Sequence, residues 1–199
     1  MDDRSKPLLF IISGPAGSGK TTLCHRLLSE FTNLRRAVTA TTRSPREGEK
    51  DGHDYYFLTH EEFEEQKKDG AFLESALVHG RAYGTLREEI VSHFDAGEDV
   101  LLSIDVQGMR QVREKSLSAD WLRGHLVTVF IKPRTLNELR ERLRRRGTDD
   151  DAEIERRIES ARVEIAAALE FDYILLTGSR EEDFDRARAI YLAEKMRPR

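Results

Sequence analysis

Eight residues near the start of the chain match the glycine-rich pattern GxxxxGK(S/T), called the P-loop below. They are Gly14-Pro15-Ala16-Gly17-Ser18-Gly19-Lys20-Thr21. Backbone amides can wrap around a phosphate only where side chains are absent, which explains the glycines. The Lys20 ammonium group can neutralise β- and γ-phosphate oxygens, and the Thr21 hydroxyl can bind Mg²⁺. The loop follows a strand-length apolar run and precedes a helical pattern, a context that predicts binding of ATP or GTP.

A charged segment between residues 43 and 54 contains a second group of candidate residues. Arg43 and Arg46 are three positions apart, and Tyr55 follows closely. Two guanidinium groups at this spacing could clamp a second phosphate through paired hydrogen bonds. A solvated charged loop would produce the same pattern. Taken alone, these residues favour neither interpretation.

Arginines are concentrated once more between residues 140 and 146, where five of seven residues are Arg. Guanidinium groups that close over a transferring phosphoryl group stabilise the charge that develops on its oxygens. A nucleic-acid-binding or solvating patch is the alternative interpretation. The whole chain has 33 basic and 37 acidic residues, so its total charge does not suggest a nucleic-acid-coating protein.

Short apolar runs alternate with amphipathic stretches along the chain. The predicted strands are Leu8–Ser13, Ala37–Thr42, Tyr55–Leu58, Phe72–Val78, Val100–Ile104, Leu126–Ile131 and Tyr173–Leu176. Helix starts are predicted where a threonine precedes a glutamate by three residues, as in a capping box: Thr59/Glu62, Thr85/Glu88 and Thr135/Glu138. Because four of the strands precede a helix, we expect an α/β fold with a parallel sheet covered on both faces.

Two regions depart from this alternation, and they predict a division into three parts. Residues 37–93 are expected to form an inserted β-rich lobe around the polar 43–54 loop. Residues 135–169 are expected to form two charged helices, broken near Gly147, that act as a mobile lid. The remaining residues, 1–36, 94–134 and 170–199, would form the P-loop core, and the three parts together one catalytic unit.

Composition excludes several classes of protein. The single cysteine, Cys24, cannot form an internal disulfide and has no neighbouring zinc-ligand pattern. The first apolar run, Leu8–Ile12, is too short for a membrane span or a signal peptide. We therefore expect a soluble cytoplasmic protein that binds neither membranes nor nucleic acid.

The order and spacing of five sequence blocks resemble those of the guanylate kinase family over about residues 8–176. The blocks are the P-loop, Thr41-Thr42-Arg43-x-x-Arg46-x-Gly48-Glu49-x-x-Gly52-x-x-Tyr55, Phe72-Leu73-Glu74 with Tyr83-Gly84-Thr85, Ile104-Asp105-Val106-Gln107-Gly108, and Arg146-Gly147-Thr148-Asp149. The resemblance implies a three-layer α/β/α P-loop fold with an inserted GMP-binding lobe and a helical lid. It also implies Mg²⁺-dependent transfer of the γ-phosphate of ATP to GMP, giving ADP and GDP.

By position, the resemblance assigns roles to individual residues. It implies that the GMP phosphate is held by Arg43, Arg46, Tyr55 and Tyr83, and that the guanine is recognised by Thr39, Glu74 and Asp105, with Thr85 adjacent. Guanine offers N1–H and N2–H₂ donors on one edge, which a carboxylate such as Glu74 accepts. The resemblance further implies that Arg142, Arg146 and Arg157 reach the transferring phosphates from the lid. With Lys20 and Arg43, these are the expected catalytic residues.

Three departures from the family pattern affect these expectations. Ser103 replaces the acidic residue expected near Mg²⁺, so Thr21 is the single expected metal ligand. Asp105, which P-loop mechanics alone would assign to the metal, faces the guanine by the resemblance. Ala16 replaces a small hydroxyl residue, a tolerable change because the backbone amide does the binding. Thr177-Gly178-Ser179 replaces an asparagine and acidic residues near the adenine, so preference for ATP over GTP stays open.

Two alternatives remain at this point. A binding module of the same fold would lack catalysis, but such modules usually have a degraded P-loop, and this one is intact. A P-loop kinase for a different phosphorylated acceptor is the second alternative. Glu74 and Asp105 argue against it, whereas Ser103 leaves it open.

Overall fold

The computed structural model describes residues 6–78, 80–147 and 150–198. Thr148 and Asp149 of the fifth sequence block lie outside the described residues. The strands are β1 (Leu9–Ser13), β2 (Leu34–Arg36), β3 (Thr39–Thr41), β4 (Tyr55–Phe57), β5 (Phe72–Val78), β6 (Arg81–Leu86), β7 (Asp99–Ser103), β8 (Leu126–Lys132) and β9 (Tyr173–Leu176). The helices are α1 (Lys20–Glu30), α2 (His60–Lys68), α3 (Arg87–Asp95), α4 (Val106–Ser118), α5 (Leu136–Arg146), α6 (Asp151–Ala166) and α7 (Arg180–Met196).

A five-stranded parallel sheet in the order β2-β7-β1-β8-β9 forms the centre of the molecule. Leu9 of the central strand β1 lies opposite Val100 on one side and Leu126 on the other. Every residue of β1 is buried, as expected for a parallel strand covered on both faces. The predicted parallel α/β core is thus confirmed, and β1 delivers the P-loop to the carboxyl edge of the sheet, where ligands bind in such folds.

Alternate residues of β1 contribute to two hydrophobic cores, one on each face of the sheet. Phe10 and Ile12 belong to the cluster that includes Leu27 of α1 and Tyr191 of α7. Leu9 and Ile11 belong to the opposite cluster, which includes residues of α3 and α4. Burial on both faces holds the strand rigidly, so the loop that follows it starts from a fixed position.

The predicted inserted lobe is a second sheet in the order β4-β3-β6-β5. Phe63 of α2 stacks on Phe72 of β5, with ring centroids 4.5 Å apart, and these rings anchor a small core of their own. The sequence did not predict β6 because its residues carry little apolar pattern. A Cβ atom at Gly84 would lie 2.8 Å from the Phe72 ring, so the close strand pairing requires glycine there.

Helices α5 and α6 form the predicted pair of charged helices. Leu139 and Leu143 of α5 pack against Ile154 and Ile158 of α6 in a separate buried cluster. Gly147, with φ +67°, ends α5 in the left-handed conformation that favours glycine. In the described part of the chain, no helix is both long and apolar enough to cross a membrane.

The three predicted capping boxes have different outcomes. Thr59 and Glu62 form the complete box at the start of α2. The Thr135 hydroxyl accepts the Glu138 amide at α5, while the Glu138 carboxylate pairs with Arg142. The box predicted at Thr85 is wrong: α3 begins after Leu86 without a side-chain cap, and Thr85 is a buried residue of β6. Its pairing with β5 outweighs the local capping pattern.

Candidate active site

The P-loop connects β1 to α1 through three glycines with positive φ: Gly14 at +143°, Gly17 at +85° and Gly19 at +102°. L-residues with a Cβ atom rarely adopt these angles. A Cβ at Gly14 would also lie 2.5 Å from the carbonyl oxygen of Ile131 on β8. Conformation and space therefore both explain why the sequence has glycine at these positions, and the loop presents its backbone at the N-terminus of α1.

Lys20 begins α1, and its ammonium group folds back over the loop. The Nζ atom donates to the carbonyl oxygens of Gly14 and, at 3.0 Å, Pro15. Burial lowers the pKa of Lys20, and the carboxylate of Glu164 opposes that decrease. The Thr21 hydroxyl lies in the exposed first turn of α1. Cys24, one turn later, is a buried core residue, and burial raises its pKa to about 12.

A first cavity of about 550 Å³ lies between the P-loop, helix α5 and the start of α7. Gly17 to Gly19 form its floor, and Arg142, Arg145 and Arg146 line it from α5. Its volume is within the usual range for a small-molecule site. Gly178 and Ser179 line it as well, whereas the Thr177 side chain is buried. Arginine side chains and backbone amides therefore converge on a space that suits an anionic ligand.

A second cavity of about 370 Å³ lies on the other side of the P-loop. It brings together residues that the sequence placed in one group although they are far apart along the chain: Thr39, Tyr55, Glu74, Tyr83 and Asp105. Three P-loop residues also line this cavity: Gly14, Ala16 and Lys20. The two cavities thus flank the same loop, and Lys20 lines the second of them.

Glu74 is an almost fully buried carboxylate in the second cavity, with 4% of its surface exposed. Burial raises its pKa to about 7, the Thr85 hydroxyl partly offsets this rise, and the like charge of Asp105 adds to it. The Thr85 hydroxyl donates to Glu74 Oε1 at 2.6 Å. Asp105 caps α4 by accepting the Gly108 amide at 2.8 Å. The β5, β6 and α4 elements therefore place two carboxylates and a hydroxyl together.

Arg43 lies beside the aromatic wall of the second cavity. Its guanidinium group is 5.3 Å from the ring centroid of Tyr55 and pairs with Glu49 at 2.9 Å. Hydrogen bonds to Glu49 and Tyr83 raise the pKa of Arg43, so it stays cationic. Arg46 is exposed and lies outside the set of residues that lines this cavity, although its amide donates to Glu49. Neither arginine is among the residues that line this cavity, but Arg43 contacts two residues that do, Tyr55 and Tyr83.

A third cavity of about 440 Å³ separates α6 from α4 and the end of β5. Arg157 lines this space, so the three predicted lid arginines do not share one cavity. Glu164 of α6 lines both the second and the third cavity, and the sequence did not predict it as a site residue. The available signal was its spacing from Arg157, two helical turns, which places both on one face of α6.

A divalent ion would have few protein ligands here. Within the described ranges, no group of three or more His, Cys, Asp or Glu residues could hold a metal. Ser103 lies at the end of β7, where its hydroxyl hydrogen-bonds with Cys24. The accessible Thr21 hydroxyl is a suitable donor for Mg²⁺, which keeps several waters and uses few protein groups when phosphates are present.

Several known proteins are similar to this chain over nearly its whole length. Residues 6–191 match the family model described as guanylate kinase. The chain is 44% identical over 191 residues to the guanylate kinase of Nitratidesulfovibrio vulgaris, covering 96% of this chain and 89% of that protein. It is 38% identical to the guanylate kinase of Caldanaerobacter subterraneus, covering 99% and 92%. The crystal structure of guanylate kinase from Anaplasma phagocytophilum superposes with a TM-score of 0.75 at 34% identity, covering 97% and 88%.

Proposed function

The chain belongs to the guanylate kinase family and is an ATP:GMP phosphotransferase, and we propose that the two cavities flanking the P-loop bind its two substrates. The observation that carries this assignment is the position of Lys20. It lies on a loop that bounds an arginine-lined cavity on one side and the Glu74 cavity on the other. A phosphoryl group passing between two nucleotides must cross that boundary. Family membership decides against the two alternatives that the sequence left open.

We propose that the donor ATP binds along the first cavity, with its phosphates on the P-loop residues Gly14 to Thr21. The amides at the N-terminus of α1 and the Lys20 ammonium group neutralise the β- and γ-phosphates. Lys20 donates to Gly14 and Pro15 carbonyls in this structure, so it must exchange those acceptors for phosphate oxygens. Burial lowers the pKa of Lys20, and an anionic phosphate beside it would favour the charged ammonium form.

The acceptor GMP is assigned to the second cavity, with its guanine against Glu74, Asp105 and Thr39. The Glu74 carboxylate would accept N1–H and N2–H₂ of guanine, whereas adenine offers an acceptor at the N1 position. Thr85 lies behind Glu74 and orients it through their 2.6 Å hydrogen bond. Base selection in this proposal is therefore a matter of matching donors to a buried acceptor.

The GMP phosphate is assigned to Arg43, Tyr55 and Tyr83: the two tyrosines line the cavity, and Arg43 lies beside them. Arg43 is cationic and held near the two phenol rings. Arg46, which is exposed, joins this group in the proposal through a movement of the 43–54 loop. Two guanidinium groups would then bind the phosphate in paired hydrogen bonds and aim one of its oxygens at the γ-phosphate.

We propose that residues 135–169 act as a lid and residues 37–93 as a GMP-binding lobe, both closing on the core at 1–36, 94–134 and 170–199. The separate hydrophobic cores of the lid and lobe support movement as units. Closure would bring Arg142, Arg146 and Arg157 to the transferring phosphoryl group and exclude water. Because Arg142 pairs with Glu138 at 2.6 Å, that pair is expected to open or to be shared on closure.

The kinase reaction needs a divalent metal ion, and we propose that this ion is Mg²⁺ held by Thr21 and nucleotide phosphates. Bound there, Mg²⁺ neutralises charge on the β- and γ-phosphates. Ser103 stands at the usually acidic position, so the last residue of β7 supplies no carboxylate. The residues present therefore fit a mostly water- and phosphate-coordinated ion.

We propose further that the partners of this protein are small nucleotides rather than nucleic acid, and that it acts in the cytoplasm. Arg142, Arg145 and Arg146 line the donor cavity, which gives the most basic segment of the chain a role with phosphates. ATP and GMP are cytoplasmic metabolites, which supports that location.

The test mixes the pure protein with ATP, Mg²⁺ and GMP, AMP, CMP or UMP in turn, and measures each nucleoside diphosphate by chromatography. We expect GDP and ADP in equal amounts with GMP and little product with the other acceptors. Absence of GDP, or equal use of AMP, would contradict the assignment. Substitution of Mn²⁺ or Ca²⁺ for Mg²⁺, and a Thr21→Ala variant, test the metal proposal through the metal concentration needed for half-maximal rate.

A further inference from the structure

Glu164 is a half-buried carboxylate on the inner face of α6 to which the proposed function gives no role. Arg157, Ser160 and Glu164 lie three and four residues apart, so they share one face of this helix. All three line the third cavity, and Glu164 also lines the second. The inner face of α6 therefore reaches the acceptor site through Glu164.

The second cavity is lined both by residues proposed for the guanine and by residues proposed for the phosphate. The ribose joins the base to the phosphate, so it must occupy the same cavity. Among the described polar side chains that line it, Lys20 serves the donor phosphates, and Ser103 hydrogen-bonds with Cys24. Glu164 is the carboxylate left for the sugar.

The surroundings of Glu164 suit a ligand that donates hydrogen bonds. In the described residues, no hydrogen bond or ion pair holds its carboxylate, and its electrostatic neighbours are Lys20 and Asp105. Burial raises its pKa, Lys20 opposes that increase and the like charge of Asp105 adds to it. A partly buried acceptor without a donor is costly, and a ligand that supplies donors removes that cost.

A ribose offers such donors, because its 2′- and 3′-hydroxyl groups lie side by side and can each donate to one carboxylate oxygen. Acidic side chains bind ribose hydroxyls in this way in dinucleotide-binding proteins. Resting on the proposed function, we propose that Glu164 accepts hydrogen bonds from the ribose hydroxyls of the acceptor nucleotide and makes the enzyme select GMP over dGMP. Since Glu164 is on α6, the same contact would link acceptor binding to the lid.

The test compares kcat/KM for GMP and dGMP at saturating ATP in wild type, Glu164→Ala and Glu164→Gln. We expect the wild type to prefer GMP about tenfold or more, the range of one hydrogen bond to a charged group. Glu164→Ala should lower kcat/KM for GMP about tenfold and that for dGMP two- to threefold, which reduces the preference. Glu164→Gln keeps the volume and should have an intermediate effect. Glu159→Ala, at an exposed position of α6, is the matched control and should leave the preference unchanged.

Equal losses for GMP and dGMP in both Glu164 variants, or an increase in KM for ATP alone, would overturn the ribose assignment, because Glu164 would then act through Lys20 or the fold. Binding of GMP and dGMP without ATP, measured by calorimetry, provides the same comparison independently of turnover, and thermal unfolding checks that the variants fold. A wild type that forms no GDP contradicts the proposed function itself. An active wild type that uses GMP and dGMP equally well overturns the role of Glu164 alone.

Discussion

The Thr85 hydroxyl donates a 2.6 Å hydrogen bond to Oε1 of Glu74, its partner across the β5–β6 pair. Both residues are buried. Burial raises the pKa of Glu74, and this hydrogen bond counteracts part of that rise. The strand pairing therefore builds a carboxylate that is oriented before a substrate arrives.

Removal of the Thr85 hydroxyl tests that orientation. Thr85→Val keeps the shape of the side chain but removes the donor, so we expect the KM for GMP to increase about tenfold, the range of a hydrogen bond to a charged group. The KM for ATP should change by less than about twofold, because the proposed ATP cavity lies on the other side of the P-loop. Thr85→Ser restores the hydroxyl and should restore most of the affinity. A Val variant with wild-type GMP kinetics would show that the bond is dispensable.

Glu74→Gln tests the recognition of guanine. The amide replaces one acceptor oxygen by a donor, which then faces the N–H groups of guanine, so kcat/KM for GMP should fall by about two orders of magnitude. Activity with AMP or IMP relative to GMP should increase, because the glutamine amide opposes more N–H donors on guanine than on either of the other two bases. Steady-state rates with each acceptor measure this ratio. Unchanged GMP kinetics would remove Glu74 from the guanine site.

The raised pKa of Glu74 predicts a pH dependence of GMP binding. In the proposed site the guanine N–H groups donate to the ionised carboxylate of Glu74, which gains a proton as the pH falls through about 7. The KM for GMP should therefore increase roughly tenfold between pH 8 and pH 6. Glu74→Gln cannot titrate, so it separates this effect from protonation of the GMP phosphate, which has a pKa of about 6. Parallel pH profiles in the two proteins would contradict the prediction.

The same pKa predicts an opposite trend for the stability of the free protein. Because the pKa of Glu74 in the fold is above its usual value near 4.5, its protonated form stabilises the fold. That contribution is complete below pH 4.5 and is lost as the pH rises to about 7. Denaturant unfolding of wild type and Glu74→Gln over this window measures the difference. The wild type should lose stability relative to the variant as the pH increases.

Gly108 sets the space available to Glu74. A Cβ atom at this position would lie 2.6 Å from Glu74 Oε2, so Gly108→Ala must displace the carboxylate. We expect the KM for GMP to rise by about an order of magnitude with little change in that for ATP, since small misplacements of binding groups reduce rates strongly. Gly97→Ala, where no atom lies within 4 Å of the added carbon, controls for the loss of a glycine elsewhere, although its φ of +74° adds local strain.

Lys20→Ala tests the proposed role of Lys20 in phosphoryl transfer between the two cavities. In the proposed mechanism the Lys20 ammonium group stabilises negative charge that develops on the phosphate oxygens during transfer. We therefore expect kcat to fall by about 10²- to 10³-fold while GMP binding changes little. Exposed Lys67, near the end of α2, provides a matched control in Lys67→Ala, which should retain wild-type turnover. Quench-flow measurement of a single turnover isolates the chemical step. A loss confined to the KM for either substrate would assign Lys20 to binding alone.

Much of this arrangement was predictable from local sequence. The P-loop requires glycines at positive φ directly after a buried strand. Both features can be read from the sequence, as a glycine pattern that follows an apolar run. The apolar runs predicted the parallel sheet because a strand that is buried on both faces consists of consecutive apolar residues. Glu74 and Asp105 were proposed as guanine-binding residues because they lie in sequence blocks that resemble those of guanylate kinases. The positions of Arg43, Arg46 and Arg157 relative to the cavities were not predictable, since long side chains choose partners that only the folded structure brings near.

By itself the sequence determined the class of the fold and the glycine-rich loop, and it supplied the residues that we propose distinguish a purine. These features depend on backbone conformation and on spacing along the chain, which local order specifies. Tertiary structure alone decided that Thr85 supports Glu74 instead of capping a helix, because strand pairing across the lobe outweighs a four-residue pattern. It also decided that Glu164, 90 residues from Glu74 in the chain, shares a cavity with it. Such contacts come from the packing of whole elements, and no local pattern encodes them.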